Sequence, residues 1–100
     1  MTTKYRLFIG SNNVTKELES LKAFKLLEAF GVGAFSAFEQ MGYWNGQPEK
    51  SLVVDIIDFE GAFKATIATI ARQIAIELEQ DAVMVETLDT DAQLIQGVAR

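Results

Sequence analysis

The chain has 100 residues, 49% of them hydrophobic and 23% charged, a formal net charge of −5, and neither cysteine nor histidine. That length fits one domain spanning residues 1–100 and leaves no room for a second core, while the acidic balance disfavours nucleic-acid backbones and anionic membrane surfaces. Without cysteine or histidine there is no disulfide framework, no thiolate nucleophile, no imidazole proton shuttle and no thiolate or imidazole zinc site; an enzyme here would rely on carboxylates, lysine, tyrosine or a bound cofactor, and no metal or cofactor is assigned.

The N-terminal Met1-Thr2-Thr3-Lys4 runs directly into a strand pattern and does not read as a signal peptide. No apolar run approaches the ~20 residues of a membrane span, and a cytoplasmic location is expected. Residues 4–10 alternate, with Tyr5, Leu7 and Ile9 on one face and Arg6 and Phe8 on the other, which predicts a first strand closed by the turn residues Gly10-Ser11-Asn12-Asn13. Thr15 is placed as an N-cap, and Leu18, Leu21, Phe24 and Leu27 follow at helical spacing until Gly31 and Gly33 stop the helix.

Residues 34–44 read as a second strand, followed by Asn45-Gly46, a dipeptide that favours positive φ at both positions of a tight hairpin. Pro48 is expected in the loop and residues 51–59 in a third strand rich in β-branched side chains. Phe63, Ile67, Ile70, Ile74 and Leu78 then fall on one stripe of a second helix. Residues 82–88 make a fourth strand, and 89–100 a tail with helical character.

Strand-helix-strand-strand-helix-strand with a central hairpin predicts the ferredoxin-like βαββαβ fold, an α+β domain with a four-stranded antiparallel sheet and two helices on one face. In the third strand Leu52, Val54 and Ile56 occupy one face, while Val53, Ile57 and Phe59 flank a single Asp55 on the other. The second strand is apolar on both sides as well. Two helices can cover only one face, so the pattern points to a homo-oligomer, a trimer or a dimer.

Chemistry has few places to reside. Asp55, set among apolar neighbours, is the carboxylate expected to have a raised pKa through burial. The Gly31-Val32-Gly33 stretch follows a helix rather than opening one, so it is a helix stop and not a dinucleotide loop. The amides of Gly10-Ser11-Asn12-Asn13 could face an anion at a helix N-terminus. Lys16, Lys22, Lys25 and Lys64 spread over two helices and read as solvated faces. The densest stretch is 42–51, with two aromatics, two amides, a carboxylate and an amine on one hairpin.

Tyr43-Trp44-Asn45-Gly46-Gln47-Pro48-Glu49 resembles the hairpin of the CutA-type proteins, trimers of ferredoxin-like subunits related to the PII signalling proteins. A Tyr-Trp-x-Gly-x-x-Glu stretch joins their second and third strands, and Tyr43, Trp44, Gly46 and Glu49 match it at the same spacing. That family's cysteine-containing first-helix region and its His-Pro-Tyr approach to the last strand are missing, with Glu79-Gln80-Asp81-Ala82-Val83 in the latter place, so the resemblance implies no metal binding. The whole chain is also similar to a group of small uncharacterised bacterial and phage proteins, through the strand end at Gly10, the Gly42-to-Glu49 hairpin and the late Gln80-x-x-Val83 strand start.

These readings favour a non-enzymatic, oligomeric small-molecule-binding or regulatory module. Its site is placed between subunits near the 42–51 hairpin, with Asn12, Asn13, Tyr43, Trp44, Glu49, Lys50 and Arg72 as contacts for a small polar or anionic ligand. No catalytic residue is assigned. Two alternatives stay open. One is a dimeric α+β barrel enzyme using Asp55, Tyr43 or Arg6. The other is a protein-interaction module or acidic inhibitor, phage-encoded in one version.

Overall fold

The computed structural model describes residues 2–98, without the side chain of Trp44. The elements run β1 (Thr2–Gly10), α1 (Ser20–Ala29), β2 (Ser36–Trp44), β3 (Gln47–Asp58), α2 (Ile67–Glu77) and β4 (Met84–Thr90). The sheet is antiparallel throughout, in the order β2-β3-β1-β4. This is the ferredoxin-like arrangement expected from the sequence.

Alternation decides which side of the sheet meets the helices. Tyr5, Leu7 and Ile9 of β1 and Leu52, Val54 and Ile56 of β3 are buried in one cluster with Ala23 and Leu27 of α1 and Ile67, Ile70 and Ile74 of α2. Leu78, just past α2, completes that stripe. The helix stop at Gly31 is a left-handed residue, φ +83°, with its amide on the Glu28 carbonyl and the Val32 amide on that of Leu27. The hairpin closes as expected: Asn45 and Gly46 have φ of 50° and 75°, and Trp44 pairs with Gln47.

Several boundaries differ from the sequence reading, each for a local reason. α1 starts at Ser20 and not at Thr15, because the buried Asn12 side chain diverts the chain. Its Oδ1 accepts the amides of Val14 (2.7 Å) and Thr15 (3.0 Å), and the Asn12 carbonyl accepts that of Lys16. α2 starts at Ile67 because the carboxylate of Asp58, also buried, accepts the amides of Ala62 and Phe63 and holds the preceding segment in turns. Pro48 lies inside β3 instead of in the loop. It pairs with Tyr43 of β2 beyond Gly10↔Ser51, where the β1 register ends, so one side of β3 is an edge there and tolerates a missing N–H. Residues 91–98 form no helix, and β4 extends to Thr90.

The hairpin therefore projects past the end of β1, beside the loop that enters β4. Both cavities described below lie at this end of the sheet.

Core position predicts sensitivity. Leu7, fully buried at the centre of β1, is expected to lose about 2–5 kcal/mol on Leu7→Ala. Ile76→Ala, at an exposed position of α2, should stay within about 0.5 kcal/mol. Urea denaturation of the two variants measures both.

Candidate ligand-binding site

The face of the sheet away from the helices is built from Lys4, Arg6 and Phe8 of β1, Val53, Asp55 and Ile57 of β3, Phe38 of β2, and Met84, Glu86 and Leu88 of β4, aligned by register. Val53 is fully buried although it stands outside the helix-side cluster, since its register neighbours are Phe8 and Phe38. Phe38 and Met84 remain 47% and 56% exposed. No part of the described chain covers this apolar surface.

At its centre Arg6 grips Asp55 with two bonds, Nε to Oδ1 at 2.7 Å and Nη2 to Oδ2 at 2.8 Å, and Lys4 Nζ adds an ion pair at 3.4 Å. The guanidinium also sits 5.8 Å from the centre of the Phe38 ring. This corrects the expectation for Asp55. The hydrogen bonds from Arg6 outweigh burial, and with the nearby Lys4 they hold its carboxyl below the usual carboxylate range. Asp55 is a structural ion-pair partner and stays charged. A carboxyl whose pKa is lower in the folded state stabilises the fold at neutral pH and loses that contribution as pH falls through the ordinary carboxylate value, about 3.9, and below. Asp55→Asn is thus expected to lower Tm at pH 7, with the gap to the parent protein closing in a melting series taken down to pH 3.

At the hairpin end a second constellation forms around Gly10. A Cβ there would stand 2.7 Å from Glu49 Oε1 and 2.8 Å from Gln80 Oε1, so the bare glycine lets both side chains close over the end of β1. Glu49 Oε1 accepts the Ser11 amide at 3.1 Å, and Gln80 Nε2 donates to the Ser11 carbonyl. Ser11 Oγ donates to the Lys50 carbonyl, tying the loop to β3.

Two open cavities meet at this point and share Asn13, Glu49 and Asp81. The larger, about 1100 Å³, is polar and mixed in charge, with Lys16 and Lys50 set against Glu17, Glu39, Glu49 and Asp81. The smaller, about 500 Å³, lies in the size range of small-molecule sites. Its walls include Phe8, Tyr43 and Met84, and its charged side chains are Glu49 and Asp81, both acidic. Phe8 and Met84 also belong to the uncovered sheet face, so the smaller cavity opens onto that face.

The contacts expected from sequence distribute unevenly. Asn13, Tyr43, Glu49 and Lys50 each line one or both cavities. Asn12 borders the larger cavity, but its side chain is committed to the loop and to Glu19 (2.6 Å) and Glu79 (3.3 Å). Arg72 lies exposed on α2 and lines neither cavity. The Trp44 side chain falls outside the described residues.

The amides of the 10–13 loop are engaged within the chain and do not face an anion. Those of Ser11, Asn12 and Asn13 go to Glu49 and to the carbonyls of Glu17 and Glu79, and α1 begins only at Ser20. Gly10, Gln80, Asp81, Phe8 and Met84 were not singled out as contacts. Gly10 reads in sequence as turn chemistry, and only the three-dimensional closure of Glu49 and Gln80 gives it this role. Among the described residues no cluster of three or more carboxylate, histidine or cysteine side chains is arranged to hold a metal ion, and no helix is long and apolar enough to cross a membrane.

No protein-family model matches the chain, and no curated protein matches it. Solved structures do. A phage SAM lyase in the apo state is 24% identical, with a TM-score of 0.72 over 86% of this chain and 78% of that one. A protein of the DUF3240 family from Shewanella baltica is 11% identical, with a TM-score of 0.70 over 97% and 99%. CPII, a nitrogen regulatory PII-like protein from Thiomonas intermedia bound to ADP, AMP and bicarbonate, is 9% identical, with a TM-score of 0.56 over 93% and 96%. The fold is that of the small ferredoxin-like, PII-like proteins.

Proposed function

We propose that this chain assembles through its uncovered sheet face into a small oligomer, and that the cleft around Glu49 binds a small ligand carrying positive charge beside an apolar or aromatic group. The observation that carries this reading is the lining of the smaller cavity: an aromatic wall at Phe8 beside Met84, two carboxylates, and no basic side chain. Such walls suit a cation through the ring face and the carboxylates together. They disfavour the polyphosphate of a nucleotide. Phe8 and Met84 belong both to the cavity and to the sheet face, so a second copy seated on that face would wall off the open side. This reading keeps the small polar ligand expected from the sequence but replaces the anionic option with a cationic one.

Among the structural neighbours the phage protein acts on SAM. Read as S-adenosylmethionine, that compound meets the requirement, with a sulfonium centre, an amino group and a flat base in one molecule. In a calorimetric titration S-adenosylmethionine is expected to bind at least about tenfold more tightly than S-adenosylhomocysteine, its neutral thioether counterpart, and ATP to bind worst. Glu49→Gln should remove most of the difference between the first two. Equal affinities for the sulfonium and the thioether, or a preference for ATP, would contradict the reading.

A second reading is that the bound sulfonium is cleaved, as the lyase name of the same neighbour suggests. Breaking a carbon–sulfur bond of a sulfonium sends the electron pair to sulfur and releases a neutral thioether, while a carboxylate takes the proton from the adjacent carbon and that C–H pair closes a carbon–carbon double bond. That chemistry asks chiefly for positioning and a carboxylate, both within reach of a chain that has no histidine or cysteine. Chromatography of S-adenosylmethionine after incubation with catalytic amounts of protein tests it, with depletion expected for the parent and not for Glu49→Gln. Intact substrate after stoichiometric incubation would reject it.

A further inference from the structure

Residues 91–98 leave the end of β4 without regular structure, and their three large apolar side chains, Leu94, Ile95 and Val98, are 80%, 78% and 83% exposed. No other segment of the described chain combines so much apolar surface with so little packing. It carries one charge, Asp91, so burial would strand little polarity. Leu94, Ile95 and Val98 also fall at i, i+1 and i+4, spacing that places all three on one side of a helical turn. A segment this short cannot hold a helix alone and gains order only on docking.

We propose that this C-terminal segment is an assembly arm, packing with Leu94, Ile95 and Val98 against the uncovered sheet face of a second copy of the chain. The inference rests on the reading that the chain oligomerises through that face. It identifies the element that completes the contact. The large apolar side chains this face still exposes, Phe38, Ile57, Met84 and Leu88, are only 36–56% accessible, and Val53 is fully covered. A stable subunit interface takes about 800 Å² from each partner. The bare face alone falls short, and the arm is the remaining unpartnered apolar surface of the same polypeptide. Both surfaces stay uncovered within one copy, with Phe38 and Met84 half-exposed while Leu94 and Ile95 stand in solvent.

The test is multi-angle light scattering of the 100-residue parent chain beside Leu94→Asp/Ile95→Asp, with melting curves for both. The two positions lie outside the helix-side core, so the variant is expected to fold. The parent is expected to run at a multiple of its 11.1 kDa subunit mass. The variant should dissociate at concentrations at least about tenfold higher than the parent does. A monomeric parent would remove the oligomer reading itself. An oligomeric parent with an equally stable oligomeric variant would overturn the arm alone. A variant of unchanged mass but lower Tm would place the segment on its own sheet and overturn the arm as well.

Discussion

Two helices can cover one face of a four-stranded sheet, and this chain sets a row of large apolar side chains on the other face as well. On the covered side the alternation of β1 and β3 delivers Tyr5, Leu7, Ile9, Leu52, Val54 and Ile56 to the helices. On the other side Phe8, Val53, Phe38 and Met84 form a row across all four strands, with the Arg6–Asp55–Lys4 cluster beside it. That cluster is satisfied within the subunit, since the carboxylate has both cations in reach and the guanidinium lies over an aromatic ring. Three of the charges on this face, Lys4, Arg6 and Asp55, are thus engaged with one another, so covering them strands less charge than three unpaired groups would. The same row reaches the mouth of the acidic cleft, so covering the face and enclosing the cleft are one event.

The cleft depends on chain geometry more than on any single motif. β3 outruns β1 by the length of the hairpin, which carries Glu49 past the end of β1 and over Gly10. Gln80 reaches the same peptide from the loop before β4. Three distant segments thus converge on one glycine, and a carboxylate is held by a backbone amide at the junction of two cavities. In the proposed function that carboxylate, beside the Phe8 ring, meets the charge of a cationic ligand.

Much of the fold was legible because its signals are periodic. Alternation in β1, the β-branched run of β3, the isoleucine stripe of α2 and the Asn45-Gly46 turn each carry a local physical cause that tertiary contacts reinforce. What was hidden depended on side chains acting on the backbone over several residues. Asn12 and Asp58 both look like ordinary polar punctuation in sequence, yet each is buried and captures two amides, delaying a helix. Asp55 shows the same limit: its neighbours along the chain are apolar, while the partners that set its charge, Arg6 and Lys4, stand on the adjacent strand. For the site, the hairpin residues Tyr43 and Glu49 were visible as a dense local cluster. Phe8, Gly10, Gln80 and Asp81 come from elements far apart in sequence and carry no local mark. Arg72, chosen for its charge, faces away on α2.

The central claim is that the second sheet face is covered by another copy of the chain. Sedimentation equilibrium of the intact chain and of Phe38→Glu, which places a charge in the middle of that face, tests it most directly. The account predicts a multiple of 11.1 kDa for the intact chain and the single-subunit mass for the variant. An intact chain that sediments as a monomer at high concentration, or a Phe38→Glu variant that assembles as well as its parent, would contradict it.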